Sequence, residues 1–202
     1  MEALVERVGL LWQWRRGDPQ PSIAAPAPGW QAQAVGTQEF EGLSRADRRA
    51  SEHDFALDPP RWRERFALGH QLYLGQIEAR VVAFGWRASG VSRFGEPTVT
   101  FTTPPGSDYL YDFVTHPDWR GHGCYPALLH AIIAAETGLD DFWIIHHSAN
   151  LASQRGIARA DFQIAGPIYR MASGALALLA GDDRERAEAG ARLLGLPLVS
   201  AL

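Results

Sequence analysis

The stretch Val114-Thr115-His116-Pro117-Asp118-Trp119-Arg120-Gly121-His122-Gly123-Cys124-Tyr125-Pro126 decides how the chain is read. Before it, residues 109–115 (YLYDFVT) are rich in aromatic and β-branched side chains and read as a strand, which His116-Pro117 stops. After it, residues 126–136 (PALLHAIIAAE) read as a helix with an apolar stripe of Leu128, Leu129, Ile132, Ile133 and Ala135, ended by Gly138. Two glycines between strand and helix permit a tight turn and let a ligand approach the backbone. Pro126 fits the first helical position, where its missing N–H costs nothing. The N–H groups of the loop and first turn, with the helix dipole, then form an anion site suited to a pyrophosphate, and Arg120 can add a charge-assisted contact. The glycines by themselves fit a plain strand-to-helix turn better than a phosphate site. A dinucleotide fingerprint is excluded, because Gly121-x-Gly123 runs on into Cys124, Tyr125 and Pro126. A Gly-Lys-Ser/Thr triphosphate loop is excluded as well.

Outward from this stretch, residues 71–76 (QLYLGQ) and 79–86 (ARVVAFGW) read as a hairpin with its turn near Gln76-Ile77-Glu78, and 97–103 (PTVTFTT) as a further strand. Residues 142–146 (FWIIH) are a short apolar strand and 150–160 a second helix. Phe162 to Ile164 and Ile168 to Met171 read as two short strands. Alternating strands and helices over 109–171 imply a mixed sheet with helices packed on its faces. Trp30 to Val35 reads as a first strand and 37–57 as one or two short helices, broken by Asp58-Pro59-Pro60, with a turn restarting at Trp62 to Phe66. Residues 2–14 place Leu4, Val8, Leu11 and Trp12 at helical spacing, so a helix is expected there, followed by the Pro-rich loop 17–29. The Ala- and Leu-rich tail after Ala172 also reads as helical. The expected organisation is an N-terminal helix and linker (1–29), a central domain (30–171) and a helical tail (172–202).

Composition narrows the chemistry. The chain has 202 residues, 46% apolar and 21% charged, with a net charge of −4. It therefore lacks the global basic field expected of a nucleic-acid binder. It has no apolar run long enough for a membrane-spanning helix, and the acidic Glu2 and Glu6 do not suit a secretory signal. All 19 basic residues are Arg, which excludes a Lys nucleophile or Schiff base. The single Cys124 excludes an intrachain disulfide and a Cys-rich zinc cluster and points to a reducing, cytoplasmic setting. Cys124 lies near a helix N-terminus, where a thiol is activated, but its side chain is expected to face the helix core. His146 and His147 are adjacent on a strand and point to opposite faces, so no metal site is expected.

The run from Val114 to Tyr125 resembles motif A of the GNAT (Gcn5-related N-acetyltransferase) superfamily, Arg/Gln-x-x-Gly-x-Gly/Ala, with Arg120 and Gly123 matching and Tyr125 standing at the final Gly/Ala position. Asn150-x-x-Ser153, opening a helix that ends at Asp161-Phe162, is similar to the family's Asn-x-x-Ser/Ala … Gly-Phe signature, with Asp161 in place of Gly. The resemblance covers residues 70–171 well. It implies an α/β fold with a mixed, mostly antiparallel central sheet, a V-shaped splay between strands 109–115 and 142–146, and helices on both faces. It also implies acetyl-CoA as acyl donor, a small-molecule amine as acceptor, and direct transfer through a ternary complex.

By the resemblance, the pyrophosphate sits on Arg120, Gly121, His122, Gly123, Cys124 and Tyr125. The pantetheine runs along Phe113, Val114 and Thr115, and Asn150 and Ser153 touch the coenzyme arm. The acceptor ammonium must lose a proton before it can attack. Asp112 and Asp108 share strand parity and are candidates for the base, and His116 is a further one. Many family members carry a Tyr acid in the second helix, but Ile157 stands there, so Tyr169 or Tyr111 is left for that role. Ile157 and Asp161 also keep open a catalytically degenerate acyl-CoA-binding regulatory domain. The sequence leaves a homodimer open.

Overall fold

Leu10, Leu11, Trp12, Gln13 and Trp14 are buried without a break, so both faces of this segment are covered. The computed structural model, which describes residues 2–20, 22–42, 59–95 and 98–200, makes it the strand β1 (Leu4–Arg15). β1 pairs antiparallel with β8 (Asp141–His147) at one edge and β9 (Gln163–Met171) at the other. The helix expected over residues 2–14 is thereby corrected. In a near-continuous apolar run, helical spacing matches by coincidence, and such a run is also the mark of a strand covered on both faces.

The chain divides into two compact units, residues 1–20, 89–109 and 138–202 in one, residues 21–88 and 110–137 in the other. In the first, strands run in the order β11 (Leu198–Val199), β10 (Leu176–Leu179), β9, β1, β8. Every pairing there is antiparallel except β10 with β11. A separate hairpin joins β5 (Val91–Phe94) and β6 (Val99–Thr102). Its Phe94 lies so close over β1 that a Cβ on Gly9 would sit 3.2 Å from the ring. The tail is only partly helical. It supplies β10, then a helix over Arg184–Leu194, then β11. Residues 163–171 form one strand rather than two, because Gly166 and Pro167 stay in register with Leu11 and Leu10 of β1 and the register shifts fall on either side of them.

In the second unit the order is β7 (Ser107–Thr115, whose first residues belong to the other unit), β4 (Arg80–Ala88), β3 (Gln71–Ile77), β2 (Trp30–Val35). The β3–β4 hairpin turns on Glu78 and Ala79 with φ of 49° and 67°, the two left-handed residues a tight hairpin needs. Here α1 is Thr37–Gly42 and α2 is Pro59–Ala67, a full helix where only a turn was expected. The part of the helical expectation that falls on residues 43–57 lies outside the described residues. The core of this unit is aromatic: Phe40, Trp62, Phe84 and Trp86 are buried together, with Trp62 edge-on to Phe84 at 5.1 Å and to Trp86 at 5.2 Å. Helix α3 (Cys124–Ala135) follows the glycine turn, α4 (Leu151–Arg159) belongs to the first unit, and α5 is the tail helix Arg184–Leu194.

α5 is tied to β1 by a buried guanidinium. Arg186 donates from Nη1 to the Gln13 carbonyl at 3.1 Å, from Nη2 to Asp18 Oδ1 at 3.0 Å and from Nε to Asp183 Oδ2 at 3.0 Å. Removing one partner of a buried, hydrogen-bonded ion pair leaves the other charge uncompensated. Arg186→Ala is expected to lower the unfolding free energy by about 3–5 kcal/mol in equilibrium denaturation. An unchanged midpoint would show that the pairing contributes nothing.

Candidate functional site

The turn after β7 is built as its residue types demand. Pro117–Trp119 form a single 3₁₀ turn, capped by His116, whose Nδ1 accepts from the Asp118 N–H at 3.3 Å. Gly121 and Gly123 both have φ of 84°, a left-handed conformation that L side chains rarely adopt. Gly123 is the N-cap of α3 and offers no side chain to close the helix end. Chain neighbours aside, no atom of the described residues lies within 4 Å of where a Cβ would stand on either glycine. The result is a helix N-terminus with no side-chain cap behind two uncrowded glycines, an arrangement that favours an anion. Pro126 is the third residue of α3 rather than the first, still within the turn where its missing N–H is tolerated.

The flanking residues keep the turn open. The Tyr125 ring packs 5.2 Å from Phe113 and so lies away from the glycines. Phe113 in turn lies flat over Gly85, where a Cβ would come within 2.1 Å of the ring. Arg120 donates from Nε to the Thr115 carbonyl at 3.3 Å, bracing the turn against the end of β7. His122 is exposed and stacks edge-on to Trp119 at 5.6 Å. Cys124 is buried, and burial pushes its thiol up, the opposite of an activated nucleophile.

The two aspartates separate. Asp112 has φ of 53° within the unbroken strand β7, a left-handed residue that disturbs the alternation on which its shared parity with Asp108 depended. Asp108 is buried and accepts from Ser89 Oγ at 2.7 Å. Asp112 is exposed and pairs through Oδ2 with Arg65 Nη2 at 2.6 Å. Arg65, on α2, is the residue that the sequence reading missed. Its guanidinium lies 5.0 Å over both the Trp86 and the Tyr111 rings. Its spacing from Trp62, i to i+3, was the available signal. Tyr111 is held in place by His70, whose Nδ1 is 2.7 Å from the phenol oxygen.

In the first unit, Asn150 Oδ1 accepts from the Ser153 N–H at 2.9 Å, so the Asn-x-x-Ser pattern is also an N-cap for α4. Asp161 does adopt the left-handed conformation, with φ of 57°, where the family pattern has Gly. Ile157 is fully buried, and no acid stands in its place. Tyr169 lies half-buried on β9 opposite Arg7. His146 is buried and its Nδ1 lies 2.9 Å from the His147 carbonyl, which also accepts the Asn150 N–H at 2.8 Å. Among the described residues no cluster of His, Cys, Asp and Glu could hold a metal ion, and no helix is long and apolar enough to cross a membrane.

Burial pushes the His146 imidazole below its ordinary value of 6.5. The unfolded chain therefore takes up a proton at a pH where the folded chain does not. Stability is complete above about pH 6.5 and falls as the pH drops from there towards the folded value. His146→Gln is expected to flatten that fall in a series of denaturation curves between neutral and acidic pH. An unaltered slope would remove His146 as its cause.

No family model matches the chain, and no curated protein matches it. Solved structures do. A GNAT-family acetyltransferase from Colwellia psychrerythraea is similar at 19% identity with a TM-score of 0.54, over 84% of this chain and 57% of that one. A Gcn5-related N-acetyltransferase from Sphaerobacter thermophilus is similar at 18% identity and a TM-score of 0.51, over 79% of this chain and 49% of that one. A tandem GNAT protein of the clavulanic acid biosynthesis pathway is similar at 13% identity and a TM-score of 0.50, over 78% and 50%. The chain thus spans between about half and three-fifths of the length of these structures.

Proposed function

The chain has the fold of the GNAT acetyltransferases, and on that premise we propose that it is an N-acyltransferase that moves an acetyl or other acyl group from coenzyme A to a primary amine. The observation that carries this reading is the uncapped N-terminus of α3 behind two left-handed glycines with nothing over them. Open backbone N–H groups at a helix start suit a diphosphate, and a Cβ at Gly121 or Gly123 would intrude where it approaches. The residues present therefore fit the coenzyme. Gly121, His122, Gly123, Cys124 and Tyr125 offer backbone contacts, with Arg120 beside them. Phe113, Val114 and Thr115 offer a strand edge to the pantetheine amides. Asn150 and Ser153 are assigned to the coenzyme arm.

When bound, the thioester supplies an electrophilic carbonyl carbon and a thiol leaving group. The protein's part is to hold the amine and take its proton. Asp112, an exposed carboxylate on β7, is the better placed of the two aspartates for that role, because Asp108 is buried and engaged by Ser89. Tyr169 is the remaining candidate for returning a proton to sulfur. Direct transfer is the route that the family resemblance implies, and the absence of Lys and the burial of Cys124 agree with it. The same features suit a reducing cytoplasm.

One observation favours a second reading. Buried Ile157 stands where the family acid would be, which suits an acyl-CoA-binding regulatory domain without turnover. The two readings separate on titrating acetyl-CoA against the chain and then following free thiol with a panel of primary amines. The acyltransferase reading expects thiol release that depends on amine. Tight binding without release for any amine supports the regulator. Arg120→Ala is expected to weaken coenzyme binding by about 1–3 kcal/mol, the order of a lost charge-assisted hydrogen bond. Unchanged affinity in calorimetry would remove Arg120 from the site.

A further inference from the structure

We propose that the acyl acceptor carries a carboxylate beside its amine, as an α-amino acid does, and that Arg65 and Asp112 together read the two charges. The proposal rests on the acyltransferase reading and names its substrate class. Arg65 is 7% exposed, and its Nη1 is buried with no hydrogen-bond acceptor among the described residues. The indole Nε1 of Trp86, the ring under the same guanidinium, is also buried without an acceptor. Buried donors are nearly always satisfied, and an unsatisfied charged one is costly. Two donors at one stacked pair therefore ask for an oxygen that the described residues do not provide.

The chemistry of the pair selects the oxygen. The guanidinium is always charged, and its hydrogen bond to a carboxylate is roughly twice as strong as to a neutral carbonyl. Its other nitrogen, Nη2, is held by Asp112 Oδ2 at 2.6 Å, so its orientation is fixed. The Trp86 and Tyr111 faces hold the guanidinium plane, and His70 holds the Tyr111 phenol. Asp112 is the exposed member of the pair, so its carboxylate is open to an ammonium from solvent while Oδ2 stays with Arg65 Nη2. A positive and a negative group locked side by side are the complement of a zwitterion whose amine and carboxylate are separated by one carbon. In the transfer step Asp112 takes one proton from the ammonium. The freed lone pair forms the C–N bond to the acyl carbon, the C–S bond breaks and the sulfur leaves with its electron pair; the nitrogen sheds its second proton to give the neutral amide, and the thiolate takes up one proton to leave as the free thiol.

The test uses the full chain with acetyl-CoA and reads thiol release. α-Amino acids are compared with their own amides, which keep the side chain and the amine but remove the negative charge. The ratio of kcat/KM for acid over amide is expected to be tenfold or more, carried by KM. Arg65→Gln is expected to bring that ratio near one. Trp86→Phe keeps the stacked ring and removes only the indole donor. It is expected to lower the ratio several-fold while leaving KM for acetyl-CoA unchanged, which guards against an Arg65 variant that does not fold. Thiol release with equal preference for acids and amides overturns this proposal and leaves the acyltransferase reading standing. A preference that survives Trp86→Phe and Arg65→Gln overturns the assignment to this pair. No release with any amine overturns both.

Discussion

A strand buried on both faces must also be paired at both edges, because no water reaches its backbone groups. β1 imposes this condition on the first unit. Its run from Leu10 to Trp14 is buried throughout, and β8 and β9 satisfy its two edges over most of their lengths. The positions of the residues on those strands follow. His146 and His147 fall at the end of β8, where their carbonyl and ring nitrogens organise the turn into α4, and Tyr169 falls on β9 opposite Arg7. The cover also obeys β1. Phe94 of the small hairpin occupies space that only a glycine at position 9 leaves, and Gly190 of α5 lets that helix approach Leu11, where a Cβ would stand 2.5 Å from the side chain.

In the second unit the corresponding constraint is backbone handedness. Asp112, Gly121 and Gly123 all take positive φ within twelve residues of chain. The first lies within β7 and carries an exposed carboxylate. The other two open the start of α3. Strain of this kind persists when the surroundings over-determine it, and here the surroundings are visible: Arg65 holds Asp112, and Arg120 holds the turn through Thr115. The aromatic core beneath, with Trp62, Phe84 and Trp86 in contact, carries both the guanidinium and the strand that faces it.

Local signals were legible in the sequence where one period or one cap decided the matter. The β3–β4 hairpin, β7, α3, β8 and α4 lie close to where alternation, apolar stripes and the Asn150 cap placed them. The failures have separate causes. The segment 2–14 has apolar residues nearly everywhere, so its period is ambiguous, and only pairing with β8 and β9, more than a hundred residues away, resolves it as a strand. The tail hides two short strands among helix-forming residues: β10 folds back on β9 as a local hairpin, and β11 pairs with β10 only across the intervening helix. Strand parity placed Asp108 and Asp112 on one face, and a single left-handed residue undid it. Non-glycine residues with positive φ have no reliable mark in sequence. The Arg65–Asp112 pair spans 47 positions, so neither partner announces the other.

Cys124 has a use that follows from its place beneath α3. It is the only sulfhydryl in the chain, and folding seals it almost completely. An alkylating reagent in the surrounding solution therefore finds nothing to label until α3 lifts away, so the speed of labelling counts how often that helix opens. A bound anion at the helix start should slow the count, and the chain would report its own occupancy from a residue that touches no ligand with its side chain.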